Sequence, residues 1–107
     1  MNEPALDLSE IVGLYKDDAR RSVEQMRAAL ARWDEVANGG AACKELRKMS
    51  HQLRGSGRTY GFRDVSRIGK ALEHLIQKLE AKRITADARL RQAVSGHIEQ
   101  LAGIFKA

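Results

Sequence analysis

A histidine stands among cations in the stretch HQLRGSGRTYGF, residues 51–62. On a helix that turns by about 100° per residue, five cationic side chains fall within about 60° of His51. Gly55 lies one turn further on the same face, where an exposed glycine costs a helix on the order of 1 kcal/mol relative to alanine. Neighbouring cations also repel one another. Because this face lowers the stability of the helix, we predict that it holds an anion and lets a second surface approach. Its cations are Lys44, Arg47, Lys48, Arg54 and Arg58.

The chemistry that suits this face is nucleophilic attack on phosphorus. A neutral imidazole is a competent nucleophile near neutral pH, and Arg54 and Arg58 can neutralise phosphate oxygens. When one ring nitrogen attacks, the other must keep its proton and be oriented by an acceptor. Glu73 is the candidate acceptor for His51.

Glu73 can reach His51 only if the segments that carry them form an antiparallel hairpin. The turn near Gly61 would bring the chain back to the height of the histidine. Glu73 could equally pair with Lys70 or Gln77 on its own helix.

Four amphipathic helices are predicted to position these residues. Apolar side chains recur at spacings of three and four over 8–37, 41–60, 64–82 and 86–106. Short connections between such helices favour an all-α, antiparallel up-down-up-down four-helix bundle. A break near Gly13 would add a short extra helix at the N-terminus. The candidate N-caps are Asp7 or Ser9, Asp64 and Thr85, and the candidate helix-ending residues are the NGG at 38–40 and Gly61.

Composition bounds the function further. The chain of 107 residues is predicted to be one domain, 1–107, and 43% of it is hydrophobic. The single cysteine, Cys43, excludes an internal disulfide and favours the cytoplasm. No apolar run is long enough for a bilayer, and no spacing favours a metal site or a nucleotide-binding loop. The net charge of +5 favours acidic partners.

The sequence SHQLRGSGRTYGF, followed by ALE at 71–73, resembles the pattern of histidine phosphotransfer (HPt) domains. The likeness is closest to the N-terminal phosphotransfer domain of chemotaxis-type histidine kinases. It implies that His51 is the phosphoacceptor, that Arg54 takes the place of the family's usual lysine, and that Glu73 hydrogen-bonds the histidine. Gly55 and Gly61 match the small positions of the pattern.

The resemblance implies a phosphoryl carrier of two-component signalling without an ATP site of its own. Its partners would be a response-regulator receiver domain and the ATP-binding domain of a histidine kinase, with Mg²⁺ on the partner and no cofactor in this chain. Lys44, Arg47, Lys48, Gly55 and Arg58 are the predicted partner-binding residues, and Gly61 is structural. Neither a membrane nor nucleic acid is the expected partner. Whether the chain is a free protein or part of a larger kinase stays open.

Two other functions stay open at this stage. A basic helical bundle could bind an acidic protein or nucleic acid, and its binding would then fall with salt regardless of His51. A purely structural bundle would gain stability from Gly55→Ala and lose nothing.

Overall fold

The computed structural model describes residues 7–107, and within that range every regular element is a helix. The helices are α1 (Leu8–Ala31), α2 (Trp33–Ala37), α3 (Ala41–Thr59), α4 (Arg63–Glu80) and α5 (Ala88–Phe105). The four long helices form a ring in which α3 contacts α1 and α4, and α5 contacts α4 and α1. The contacts run in opposite chain directions, as in Arg20–Phe105 with Arg27–Glu99 and in His51–Glu73 with Arg54–Ser66, so the predicted antiparallel four-helix bundle is confirmed.

The first predicted helix is wrong in one respect, because it ends at Ala31 and not at about residue 37. Arg32 leaves helical geometry at φ −92° and ψ 51°, and α2 begins at the next residue. Val36 of α2 is completely buried. The expected break near Gly13 does not occur, since α1 runs through it, and so there is no short extra helix between Leu8 and Gly13.

The helix ends show how local chemistry fixes the connections. Asp7 caps α1 by accepting a hydrogen bond from the Glu10 amide at 2.8 Å. Two predicted N-caps are wrong. Asp87, and not Thr85, caps α5 by accepting from the Leu90 amide at 3.0 Å.

The other wrong cap is Asp64, which lies inside the first turn of α4. That helix begins one residue earlier, at Arg63, without a side-chain cap. An acidic residue there still interacts favourably with the helix dipole. Gly39 and Gly61 have φ angles of +75° and +83°, which residues other than glycine rarely adopt. Both glycines end their helices as predicted.

The core lies along the bundle axis and is made of the apolar faces that the spacing predicts. Its largest fully buried side chains are Phe105, Met26, Leu46, Leu72, Ile76, Ile98 and Leu101. An aromatic cluster closes the end near the α3–α4 turn, where the Tyr15 ring stacks on Tyr60 at 4.5 Å. Tyr60 is nevertheless 39% exposed, so its predicted place on the core stripe is only partly realised.

No helix in residues 7–107 has the length and apolar character needed to cross a bilayer.

Candidate functional site

His51 lies in the middle of α3 with its side chain 73% exposed. It faces away from Leu46 and Leu53, which are buried in the core. The helical periodicity thus separates the two faces of α3 as the sequence predicts. An imidazole in this position is accessible to a second protein.

The carboxylate of Glu73 on α4 positions the imidazole of His51. His51 Nδ1 lies 2.5 Å from Glu73 Oε2, and the Glu73 side chain is only 5% exposed. Because a carboxylate only accepts hydrogen bonds when ionised, the neutral imidazole must carry its proton on Nδ1. Nε2 then has a free lone pair that points away from the bundle.

Arg54 completes a three-residue group that we call the His51 site: His51, Arg54 and Glu73. Arg54 lies one turn after the histidine and donates a hydrogen bond from Nη1 to Glu73 Oε1 at 2.7 Å. Each carboxylate oxygen of Glu73 therefore has its own partner on α3. The alternatives Lys70 and Gln77 are not its partners in the structure.

The site keeps Glu73 ionised. Burial by itself would raise the pKa of Glu73, but the hydrogen bonds from Arg54 and His51, together with their charges, hold it below its ordinary value of 4.5. A buried carboxylate is tolerated when it is paired in this way. Glu73 consequently stays a hydrogen-bond acceptor at neutral pH, which fixes both the tautomer and the orientation of His51.

The close approach of α3 and α4 brings these groups together, and the sequence analysis missed its cause. A methyl group at Gly69 would lie 2.7 Å from the Arg54 amide nitrogen and 2.9 Å from the Ser50 carbonyl oxygen. A methyl group at Gly57 would meet α4 with similar closeness, 2.7 Å from the Ser66 nitrogen. A glycine inside an amphipathic helix is a signal that could have pointed to this contact.

Two serine hydroxyls lie beside the His51 site, and one of them links α4 to α3. The Ser66 hydroxyl of α4 donates to the Arg54 carbonyl oxygen at 2.8 Å. Ser50, which precedes the histidine, is completely buried, and its hydroxyl donates to the Leu46 carbonyl oxygen at 2.6 Å. Both hydroxyls therefore have a hydrogen-bond partner within the protein.

The other predicted cations lie on the exposed face of α3, outside the His51 site. Arg47 approaches Glu80 with its Nε 3.4 Å from Oε1. Lys44, Lys48 and Arg58 form no ion pair with any residue in the range 7–107. A shallow groove of about 570 Å³ runs between Lys44, Lys48 and His51 on one side and α4 on the other. Lys44, Lys48 and Arg58 are thus available to an anionic surface beside the imidazole.

Gly55 is exposed, and a methyl group there would meet no atom within 4 Å. Nothing in the fold of the described residues requires glycine at this position, in contrast to Gly61 with its positive φ. The bare backbone of Gly55 leaves room above the helix, one turn from His51.

The two remaining histidines have no comparable surroundings. His74 is exposed on α4, and His97 on α5 lies 3.3 Å from Gln100 through its Nδ1. Among residues 7–107, no three His, Cys, Asp or Glu side chains are grouped closely enough to hold a metal ion.

An all-helical bundle with an exposed histidine on a buried carboxylate is consistent with one class of signalling module. A family model for the Hpt domain matches residues 10–104, and the chain belongs to that family. Membership implies a phosphoryl carrier of a two-component phosphorelay, a module that works with receiver and kinase partners and has no ATP-binding site of its own. Comparison with curated proteins and with solved structures gives no match.

Proposed function

We propose that His51 is the residue that carries the phosphoryl group. The observation that supports this most strongly is the exposed imidazole whose Nδ1 is bound to the buried carboxylate of Glu73. This hydrogen bond leaves the Nε2 lone pair as the nucleophile. Among the three histidines of the chain, only His51 has a carboxylate at hydrogen-bond distance within the described residues.

In both steps of the transfer, the bond to phosphorus forms or breaks at Nε2 of His51. The Nε2 lone pair forms the N–P bond while the P–O bond to the donor breaks and its electrons leave with the donor oxygen. The proton stays on Nδ1, and the positive charge that develops on the ring is stabilised by Glu73. In the second step a receiver aspartate oxygen attacks phosphorus, and the N–P electrons return to Nε2.

Arg54 acts in this proposal mainly through Glu73. Its guanidinium neutralises the buried carboxylate and fixes the oxygen that does not hold His51. The expected contact of Arg54 with phosphate oxygens remains a proposal, and the guanidinium has N–H donors for it besides the Nη1 that binds Glu73. Removing Arg54 should therefore slow transfer without abolishing it.

The exposed face of α3 is the proposed docking surface for the partner. Lys44, Arg47, Lys48 and Arg58 flank His51 and would meet the acidic groups that a receiver domain gathers around its aspartate. Gly55 lets the partner approach the imidazole closely. Mg²⁺ would be held by the receiver or the kinase domain and not by this chain.

The finer likeness to the phosphotransfer domain of chemotaxis-type kinases is also a proposal. The bond between His51 and Glu73 supports it, because that glutamate is the feature which the resemblance associates with the chemotaxis type. The free, buried thiol of Cys43 suits a reducing compartment, which we propose is the cytoplasm.

The proposal is tested by incubation with a small-molecule phosphodonor such as phosphoramidate. His51→Gln should abolish acid-labile labelling and retain the helical circular-dichroism spectrum. His74→Gln and His97→Gln are matched controls, since each removes an imidazole from the same bundle, and both should be labelled like the parent. Full labelling of the His51→Gln variant would refute the assignment.

A further inference from the structure

Two glycines line the contact between α3 and α4, and each occupies a place where a side chain does not fit. At Gly69 the nearest atoms to an added methyl group are the Arg54 nitrogen at 2.7 Å, the Ser50 oxygen at 2.9 Å and the Arg54 Cα at 3.1 Å. All three are backbone atoms of α3. They cannot rotate away as the end of a flexible side chain would.

Gly69 lies level with the His51 site along the bundle axis. The two α3 residues that it touches, Ser50 and Arg54, flank His51 in the sequence. On its own helix, Gly69 lies one turn before Glu73 and on the same face. This close contact of the two helices therefore lies directly beside the hydrogen bonds of the His51 site.

We propose that Gly69 is a positioning residue of the His51 site, which sets the distance between α3 and α4 at which Glu73 reaches His51 Nδ1. This inference rests on the proposed function of His51. Gly69 touches neither the imidazole nor a phosphoryl group, and it acts through Glu73.

The hydrogen bonds of Glu73 explain why a small displacement would matter. Its Oε2 is 2.5 Å from His51 and its Oε1 is 2.7 Å from Arg54, and both partners stand on α3. An ordinary contact for a methyl group begins at about 3.4 Å, so alanine at position 69 must move α4 outwards by several tenths of an ångström. Since both oxygens are already used, a rotation of Glu73 that restores one bond lengthens the other.

Gly57 provides a matched control on the same interface. A methyl group there would meet the Ser66 nitrogen at 2.7 Å, the Phe62 oxygen at 3.0 Å and the Val65 Cβ at 3.0 Å. The steric conflict is equal in kind, but it lies at the turn between the two helices, two turns of α4 away from Glu73. Gly57→Ala should therefore disturb packing without a comparable effect on the site.

The experiment compares the parent, Gly69→Ala, Gly57→Ala and Glu73→Gln. Nitrogen chemical shifts of His51, recorded at a pH where the imidazole is neutral, report which ring nitrogen carries the proton. The rate of labelling by phosphoramidate is measured on the same samples, together with thermal unfolding. If Gly69→Ala does not fold, it is repeated in a background with Gly96→Ala and Gly103→Ala, two positions in α5 where a methyl group meets no atom within 4 Å.

We expect both glycine variants to unfold at a lower temperature than the parent. Of the two glycine variants, only Gly69→Ala should lose the pure Nδ1–H tautomer, a change in the same direction as the one expected for Glu73→Gln, and its labelling should slow by about tenfold or more. A Gly69→Ala variant that keeps the tautomer and the rate of the parent overturns the inference, and so does an equal effect of Gly57→Ala on both readouts.

The tautomer is measured without any phosphodonor, so the two proposals can fail separately. If the tautomer changes in Gly69→Ala while His51→Gln is still labelled, then the positioning role stands and the assignment of the phosphoacceptor falls. If His51→Gln is not labelled but Gly69→Ala behaves like the parent, then the function stands and only the role of Gly69 is refuted.

Discussion

Two arginine–glutamate pairs bridge antiparallel helices of this bundle, and their surroundings differ sharply. Arg27 of α1 binds both carboxylate oxygens of Glu99 on α5, at 2.9 and 2.6 Å, and more than half of the Glu99 side chain is exposed. Arg54 of α3 binds one oxygen of Glu73 at 2.7 Å, and that carboxylate is buried. Judged by its number of hydrogen bonds alone, the first pair would be the stronger one.

Burial reverses that order. Water can replace either member of an exposed pair, so such pairs contribute little to stability. A buried carboxylate has no such substitute, and loss of its partner leaves a charge with unfavourable solvation. The bundle accepts this cost at Glu73, where the carboxylate also meets an exposed imidazole. The difference suggests that the Arg54–Glu73 pair is retained for its effect on His51 and not for stability alone.

The largest expected effect comes from truncating the two arginines. Arg54→Ala should lower the free energy of unfolding by about 2 kcal/mol, since it leaves Glu73 with only one partner. Arg27→Ala removes more hydrogen bonds but should cost far less. Urea unfolding of both variants at neutral pH checks this. Equal losses would mean that the burial of Glu73 does not distinguish the two pairs.

A smaller effect is expected from acid. The pKa of Glu73 is held below its ordinary value of 4.5, where the bonds from Arg54 and His51 outweigh the opposing effect of burial. Because the folded pKa is lower than the unfolded one, the ionised group contributes stability above about pH 4.5, and that stability is lost as the pH falls through the folded value. Glu73→Gln should therefore be less stable than the parent at neutral pH, and the gap should close in acid.

Glu99→Gln is the control for this pH dependence. The pKa of Glu99 is also lowered, by the hydrogen bonds from Arg27, but its exposure should make the gap smaller and sensitive to salt. Urea unfolding of both variants as a function of pH provides the comparison. A gap for Glu73→Gln that stays constant down to strongly acidic pH would show that packing of the amide, and not charge, causes it.

The smallest effect on stability comes from exposed glycines, yet it separates docking from folding. Gly55 and Gly96 lie inside helices with no atom within 4 Å of an added methyl group. Each change to alanine should therefore raise the free energy of unfolding by about 1 kcal/mol. Only Gly55→Ala should slow phosphoryl exchange with a receiver domain, because only Gly55 adjoins His51. If Gly55→Ala and Gly96→Ala exchange at the same rate, then the bare backbone has no part in docking.

Much of the fold follows from periodicity that can be seen in the sequence. The apolar faces of α3, α4 and α5 predict the bundle because every third or fourth residue must be buried in it. The break at Arg32 has no comparable signal, since neither glycine nor proline lies near it and the residues before it are good helix formers. The short helix that follows the break packs against α3, and its Val36 is completely buried, so we attribute the break to tertiary packing.

Helical periodicity also predicts part of the site. The stripe of cations around His51 depends on one helix, and a helical wheel describes it well. The contact of Glu73 with two residues of α3 depends on the distance and register of two helices. An added methyl group at Gly69 would lie 2.7 Å from the Arg54 nitrogen, and this close approach becomes visible only when α4 lies against α3. The hydrogen bond from Arg54 to Glu73 was accordingly not predicted, whereas the contact of Arg54 with phosphate stays a prediction.

The central claim concerns a single atom, His51 Nε2, and it can be tested directly on the phosphorylated protein. Combined nitrogen and phosphorus NMR after labelling with phosphoramidate identifies the atom that bears the phosphoryl group. We expect a bond from phosphorus to Nε2 of His51, with Nδ1 still protonated and bound to Glu73. Phosphorylation on Nδ1 of His51, or on His74 or His97, would contradict the account.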